Sequence, residues 1–240
     1  MRHLTHNLYL EVADRQALRW AQARIAACHY LRAPVDPRCR PFAYLLRAEF
    51  CDDPIGCLIF GRPEATRCYD GALTYGSPKD VADGRAQFDR WEVLNLARVW
   101  LSPSVQAGGR WCTSEFVPGF TDRHGAWRPT LASWAIGEAL GRVGYDYLRA
   151  HPPVDCDYPY QIRAVLSYCD RSLHRGTIYR AAGFRLARTN ERGIETWWTG
   201  DLGALSPDQD AEIRRLAELT PRSRRIRAAR AQLTLFTDDG

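Results

Sequence analysis

Hydrophobic and polar positions along the chain repeat with two periods, and the switches between them divide it into elements. Residues 7–12 alternate at period two and predict a short strand. Asp14 then precedes Leu18, Ala21, Ile25 and Cys28 on one helical stripe, which predicts a helix ending near His29 and Tyr30. Arg32, Pro34, Pro37 and Pro41 make the next dozen residues a loop. Residues 42–50 and 55–61 read as an antiparallel hairpin joined by Asp52, Asp53 and Pro54, and residues 62–90 show no clear period. The next strand spans 91–101, where alternation places Leu94, Leu96, Arg98 and Trp100 on one face and so aims an arginine among apolar neighbours.

From Ser102 to Pro129 the chain is polar and glycine-rich, a length more common in binding loops and lids than in plain connectors. A helix from about Thr130 to Ala150 follows, with Leu131, Trp134, Ala135, Leu140, Val143 and Tyr147 as its apolar side. Residues 161–169 predict a strand ending at Asp170. Gly176–Ala182 reads as a short helix closed by Gly183, and 184–189 with 193–199 as a last hairpin. Ser206, Pro207 and Gln209 form a capping-box start for a helix running to about Leu219. The order β-α-β-β-β-α-β-α-β-β implies an α/β fold with a mixed central sheet flanked by helices. Residues 1–200 are read as a catalytic domain and 201–240 as a helical, basic C-terminal extension.

Composition narrows the class. A chain of 240 residues, 45% hydrophobic and 11% aromatic, carries enough apolar side chain for a core, which excludes a small disulfide-stapled module and a disordered chain. No run approaches the roughly 18 apolar residues of a membrane helix, and the first ten residues lack the order of a signal peptide. The expectation is a soluble, cytoplasmic protein without a membrane partner. Eight cysteines without a C-x-x-C pair read as buried free thiols and not as a zinc ribbon. The net charge of +5 permits nucleic-acid binding without demanding it.

The basic charge is concentrated. Between Ile213 and Arg230 there are seven arginines and one acid, Glu218, a net +6 that exceeds the charge of the whole chain. Arg222, Arg224, Arg225, Arg227 and Arg230 are candidates for phosphate contacts, with a solvated terminal helix as the alternative.

Several residues could carry chemistry. His29 could be a base, and Tyr30 could donate to a carbonyl oxygen or stack on a nucleobase; the plainer role is a helix-end histidine beside a packed tyrosine. Arg98 among apolar residues needs an acceptor, whether a phosphate, the Asp170 carboxylate or a substrate carbonyl. Thr130 and Ser133, at a helix start, could hold a phosphate or a developing oxyanion, or only fill a first turn. Asp170 stands at the carboxyl end of a strand, the ligand side of open α/β sheets. There it could take a proton from an exocyclic amine, or merely cap the next turn or pair with an arginine. His174 and Tyr179 are candidates for the same wall, and Trp100, Trp111, Trp127, Trp134 and Tyr168 for stacking surfaces. His29, His174 and Asp170 have no recognisable metal spacing, so no metal is expected.

The element order, with Tyr179 followed by Gly183-Phe184, resembles the GNAT acyltransferase superfamily, in which two central parallel strands splay and the donor lies in the gap. That superfamily's usual pyrophosphate loop, Arg/Gln-x-x-Gly-x-Gly/Ala, is absent. In its place stands the long insertion ending in Arg128-Pro129-Thr130-Leu131-Ala132-Ser133. A narrower likeness rests on His29-Tyr30, Arg98-x-Trp100, Ala132-Ser133 and, above all, Ser167-Tyr168-Cys169-Asp170 followed by His174-Arg175-Gly176-Thr177-Ile178-Tyr179. Over roughly residues 20–200 these resemble the Mom family of bacteriophage DNA-modification proteins. Cys169, Ser172-Leu173 and the Ala-Ala-Gly-Phe ending depart from the family's usual residues.

The resemblance implies an enzyme converting the N6-amino group of adenine in phage DNA to a carbamoylmethylamino group, which hides sites from host restriction. The implied catalytic set is His29, Tyr30, Arg98, Ser133 and Asp170, with His174, Tyr179, Trp100, Tyr168 and Thr130 binding substrate. Double-stranded DNA is then the partner, with the target base flipped out of the stack. Glycyl-tRNA is the expected donor, because acetyl-CoA lacks the product's terminal nitrogen. The alternatives are a CoA-dependent N-acetyltransferase of a small amine or protein, and a non-catalytic DNA-binding antirestriction protein.

Overall fold

The computed structural model describes residues 8–49, 51–68, 71–105, 120–121, 127–128, 130–153 and 161–220. In chain order, β1 (Leu8–Val12) and α1 (Arg15–Cys28) lead to the long hairpin of β2 (Phe42–Ala48) and β3 (Cys51–Gly61). A small excursion follows: β4 (Tyr75–Gly76), α2 (Pro78–Ala82) and β5 (Phe88–Asp89). The central strand β6 (Val93–Leu101) precedes the short pair β7 (Phe120–Thr121) and β8 (Trp127–Arg128), then α3 (Leu131–Leu140) and α4 (Val143–Ala150). The chain ends through β9 (Ala164–Asp170), α5 (Thr177–Ala181), β10 (Arg185–Thr189), β11 (Ile194–Trp198) and α6 (Pro207–Leu219).

Seven strands form one mixed sheet in the order β1-β2-β3-β6-β9-β11-β10. Every neighbouring pair is antiparallel except β6 and β9. Those two parallel strands pair only at Val93–Ala164, Leu94–Val165 and Asn95–Leu166, and then separate. At the fork the Ser167 hydroxyl donates to the Leu96 carbonyl at 2.9 Å, satisfying an acceptor that a paired strand would have taken. The two central parallel strands thus splay apart beyond their first three paired residues.

Helices cover both faces. Asp14 accepts from the Ala17 N–H as N-cap of α1, and Ala21 and Ile25 then bury against Ala43, Leu45, Cys57 and Ile59. On the other face α3 and α4 place Trp134, Ile136, Ala139 and Tyr147 against Tyr44, Leu46, Leu58, Phe60, Leu94 and Leu96. Each large side chain so buried contributes roughly 1.5–3 kcal/mol. Ile213 of α6 joins that second cluster, with Leu216 packed against it. Leu73, Tyr75 and Phe88 of the excursion pack on Val93, Ala164 and Leu166.

Three expectations are corrected. Asp52, Asp53 and Pro54 lie inside β3, because pairing resumes at Ala48–Cys51. Pro54 is tolerated there because β6 flanks β3 only from Gly56 onward, leaving that edge open. The single helix over 130–150 is two helices, broken at Gly141-Arg142; glycine is a poor helix former, and Arg142 instead binds Asp146, which also accepts from the buried Tyr44 hydroxyl. The face shared by Leu94, Leu96, Arg98 and Trp100 is interrupted. Opposite Ile59–Phe60 the strand β6 carries one extra residue, since Phe60 pairs with Leu96 and Ile59 with Arg98. This bulge reverses the alternation, so Val99 and Leu101 join Leu94 and Leu96 on the α3 side while Ala97 and Trp100 pack on the α1 side. Among the described residues no helix is long and apolar enough to cross a membrane.

Candidate active site

Where β6 and β9 part, a cleft of about 410 Å³ opens. Residues 97–101 of β6, Tyr168 and Cys169 of β9, the end of α1 at 28–30, Ala132 and residues 174–179 line it.

His29 is the C-cap of α1, its N–H donating to Ile25 O at 2.9 Å, and its extended backbone turns the chain into the cleft. Its Nδ1 accepts from the Leu31 N–H at 3.2 Å, which leaves Nε2 to carry the proton of the neutral ring. Burial, then the charges of Arg98 and His174, lowers its pKa to about 4. At neutral pH His29 therefore offers a donor; of the two roles left open for it, base or helix-end histidine, its backbone takes the second. The Tyr30 ring lies 4.3 Å from that of His29 and 5.1 Å from that of His174, and is 45% exposed. Burial raises its phenol pKa.

Arg98 leaves β6 at the bulge. Its Nη1 donates to the Ala97 carbonyl at 2.7 Å, whereas its buried Nε has no acceptor among the described residues. Tyr179, on α5, packs against Phe184 at 5.7 Å and stacks on Trp197 at 6.4 Å with the planes 26° apart. Trp197 is held in turn by Glu195, whose Oε2 accepts from the indole N–H at 3.0 Å. Burial pushes the Tyr179 phenol up to about 12, with the Ser167 hydroxyl in hydrogen-bonding reach, so it stands protonated as a donor.

Asp170 does not line the cleft. Its Oδ1 accepts from Ser172 N–H and Oγ at 2.9 and 2.6 Å, and these bonds hold the carboxyl below its ordinary pKa. Its carbonyl accepts from the His174 N–H at 2.9 Å. Asp170 thus shapes the loop that delivers His174. Ser133 is also withdrawn, being 4% exposed. Thr130 caps α3 by accepting from the Ser133 N–H at 3.1 Å, and the Ser133 hydroxyl donates to Thr130 O at the same distance. Ala132, not Ser133, reaches the cleft.

Trp134 is core at 6% exposure, while Trp100 and Tyr168 do line the cleft. Trp111, the side chain of Trp127, and Arg222, Arg224, Arg225, Arg227 and Arg230 fall outside the described residues. Sequence reasoning missed Arg175 and Thr177 in the lining and the Glu195–Trp197 pair behind Tyr179. The alternation of Glu195 and Trp197 within one strand was the available signal for that pair.

The described lining contains two arginines, Arg98 and Arg175, and no Asp or Glu. Together with the His29 N–H and the phenols of Tyr30 and Tyr179 it suits an anion or a carbonyl on its way to an oxyanion. At the start of α3 Thr130 occupies the Ser133 N–H, so that one first-turn donor is not offered to a coenzyme pyrophosphate. Among the described residues no group of three His, Cys, Asp or Glu could hold a metal ion.

No family model and no curated protein matches the chain. Among solved structures it is similar to a Bacillus subtilis acetyltransferase in complex with CoA, at 10% identity and a TM-score of 0.38. The match covers 81% of this chain and 99% of that one.

Proposed function

We propose that the chain is an acyltransferase-like enzyme that converts the N6-amino group of adenine in double-stranded DNA to a carbamoylmethylamino group, protecting the DNA from restriction. The observation that carries this reading is the donor set at the strand fork, where His29, Tyr30, Arg98 and Tyr179 face one cleft with no carboxylate in its described lining. Donors so arranged stabilise the oxyanion formed when an amine attacks an acyl carbon. The run from Ser167 to Tyr179, on which the resemblance to the Mom family rests, supplies much of that lining.

The donor that suits this chemistry is an aminoacyl ester, glycyl-tRNA. N6 attacks the ester carbonyl, the bond to the terminal ribose oxygen breaks, and Tyr179 protonates the departing alkoxide. His174, exposed beside Tyr30, is placed to take the proton that N6 releases. The resulting N6-glycyl adenine is an isomer of the final product. Its free amine attacks C6 through a five-membered ring, and cleavage of the original C6–N6 bond leaves the carbamoylmethyl group with no atom gained or lost. The target base is extruded from the duplex to reach the cleft. Arginines 222–230 add sequence-neutral phosphate contacts.

Mass spectrometry of nucleosides from cells expressing the chain should reveal the modified deoxyadenosine, and DNA with unmodified adenine would overturn the reading. With purified enzyme, isotopically labelled glycyl-tRNA should deliver both glycine carbon and nitrogen to the base. Product formed from acetyl-CoA and a separate nitrogen source, without tRNA, overturns the donor.

A further inference from the structure

The cleft is lined from both faces of the sheet. His29, Tyr30 and Trp100 stand at its α1 side, whereas Ala132, Val99 and Leu101 stand at its α3 side. The α1 side is strongly basic. Residues 15–32 carry Arg15, Arg19, Arg24 and Arg32 with no Asp or Glu, and all four side chains are exposed. Some exposed arginines elsewhere sit in ion pairs, as Arg38 does with Asp36 and Arg214 with Asp210. On α1 no such acid is within the helix, and its first turn has none either.

Arg24 is the anchored member of this group. Its guanidinium lies 5.3 Å from the centre of the Trp20 ring and 6.0 Å from that of Trp100, and the two rings meet edge to face at 6.0 Å. A guanidinium resting on indoles is pre-oriented and keeps its N–H fork free for an acceptor. Trp100 is itself part of the cleft lining, so this cation is fixed at the cleft's mouth. Beside it the Tyr30 ring, exposed and already packed on His29 and His174, offers an aromatic face at the same entrance.

We propose that this side of α1 is the DNA-docking surface. Arg19 and Arg24 bind backbone phosphates flanking the target nucleotide, and Trp100 and Tyr30 are the faces on which the extruded base stacks as it enters. The phosphate backbone is the occupant that exposed arginines with no carboxylate among them complement; Arg19 and Arg24 project about 140° apart around α1, flanking its outer line, and the helix, 14 residues long, spans about 21 Å. That length covers about six base-pair steps of one groove edge. The identity of the base rests on the acyltransferase reading; the phosphate contact does not.

The test is fluorescence anisotropy of the full-length chain on a labelled DNA duplex across a salt series. Arg19→Ala/Arg24→Ala should bind every duplex sequence about tenfold or more weakly at low salt. Its log–log salt slope should fall by about 0.9 for each phosphate that is no longer neutralised. Arg38→Ala/Arg214→Ala, at arginines engaged in ion pairs, should change neither, and both variants should melt as the wild type does. Unchanged affinity and slope in the α1 variant overturn the proposal, as does weakened binding to tRNA with duplex binding intact. DNA binding that depends on Arg19 and Arg24, in a chain that leaves adenine unmodified, would keep the docking surface and sink the acyltransferase reading. Modified adenine with an unaffected salt slope would do the reverse.

Discussion

The indole of Trp197 fills the space that a side chain on Gly176 would need, since a Cβ there would lie 2.6 Å from Trp197 Cζ2. Gly176 also sits at φ +66°, the left-handed region where a Cβ is strained. Glycine thus lets α5 start directly against Trp197, and the stacking of Tyr179 on that indole sets the tyrosine's position in the cleft. Gly176→Ala should destabilise the fold by about 1 kcal/mol or more and lower activity. Trp197→Leu in the same chain should recover part of the lost stability by relieving the clash. A double-mutant cycle on unfolding midpoints checks this; strictly additive losses would show that the two positions are not coupled.

Tyr179→Phe removes a phenol that burial holds near pKa 12 while leaving its ring stack intact. Because the group serves as a donor, kcat should fall by about a hundredfold or more with KM little changed and the melting temperature preserved. Steady-state kinetics on the modification reaction separates the two parameters. A raised KM with unchanged kcat would make Tyr179 a binding residue only.

Protonation of two histidines links stability to pH. Burial and, secondarily, nearby cations lower His29 and His151 to about 4 each, against about 6.5 in an unfolded chain. Between those values the unfolded state binds the additional protons, so stability is complete above about pH 6.5 and declines as pH falls toward 4. Urea midpoints measured across that window should show the decline, and His29→Gln or His151→Gln should each flatten it. For the reaction, His29→Gln keeps an N–H donor and should retain more activity than His29→Ala. Equal losses would argue for a base.

Asp170 and its turn can be separated chemically. Asp170→Asn keeps an oxygen able to accept from Ser172 N–H and Oγ, whereas Asp170→Ala loses both bonds. If Asp170 acts by shaping the loop before His174, the Asn variant keeps most of the activity and the Ala variant loses it. Inactive Asn enzyme with an intact fold would instead assign the carboxylate to chemistry.

Arg98 holds a buried Nε without an acceptor among the described residues, an arrangement that opposes folding in the absence of substrate. Arg98→Met should therefore melt no lower than the wild type, and its activity should be lost. A lowered melting temperature would show that the guanidinium supports the fold.

Periodicity and capping chemistry made much of the fold legible, because both act between residues a few positions apart. The Ala21–Ile25 stripe of α1, the Ser206–Gln209 capping box of α6 and the stop at Gly183 are signals of that local kind. The motif pieces also led to one cleft for His29, Tyr30, Arg98, His174 and Tyr179. What the tertiary structure alone decided are matters of register and depth. The extra residue in β6 is defined only against β3, and it sends Trp100 to the face opposite Leu96. Ser133 looked like a helix-start donor, yet the cap to Thr130 turns its hydroxyl inward and gives the cleft wall to Ala132. Asp170 stands at the strand end as expected, but the Ser172 turn holds its carboxylate outside the lining. Local patterning brought these residues close to the fork between β6 and β9; where those strands part selected which side chains open into it, because pairing across a sheet depends on strands that are distant in the chain.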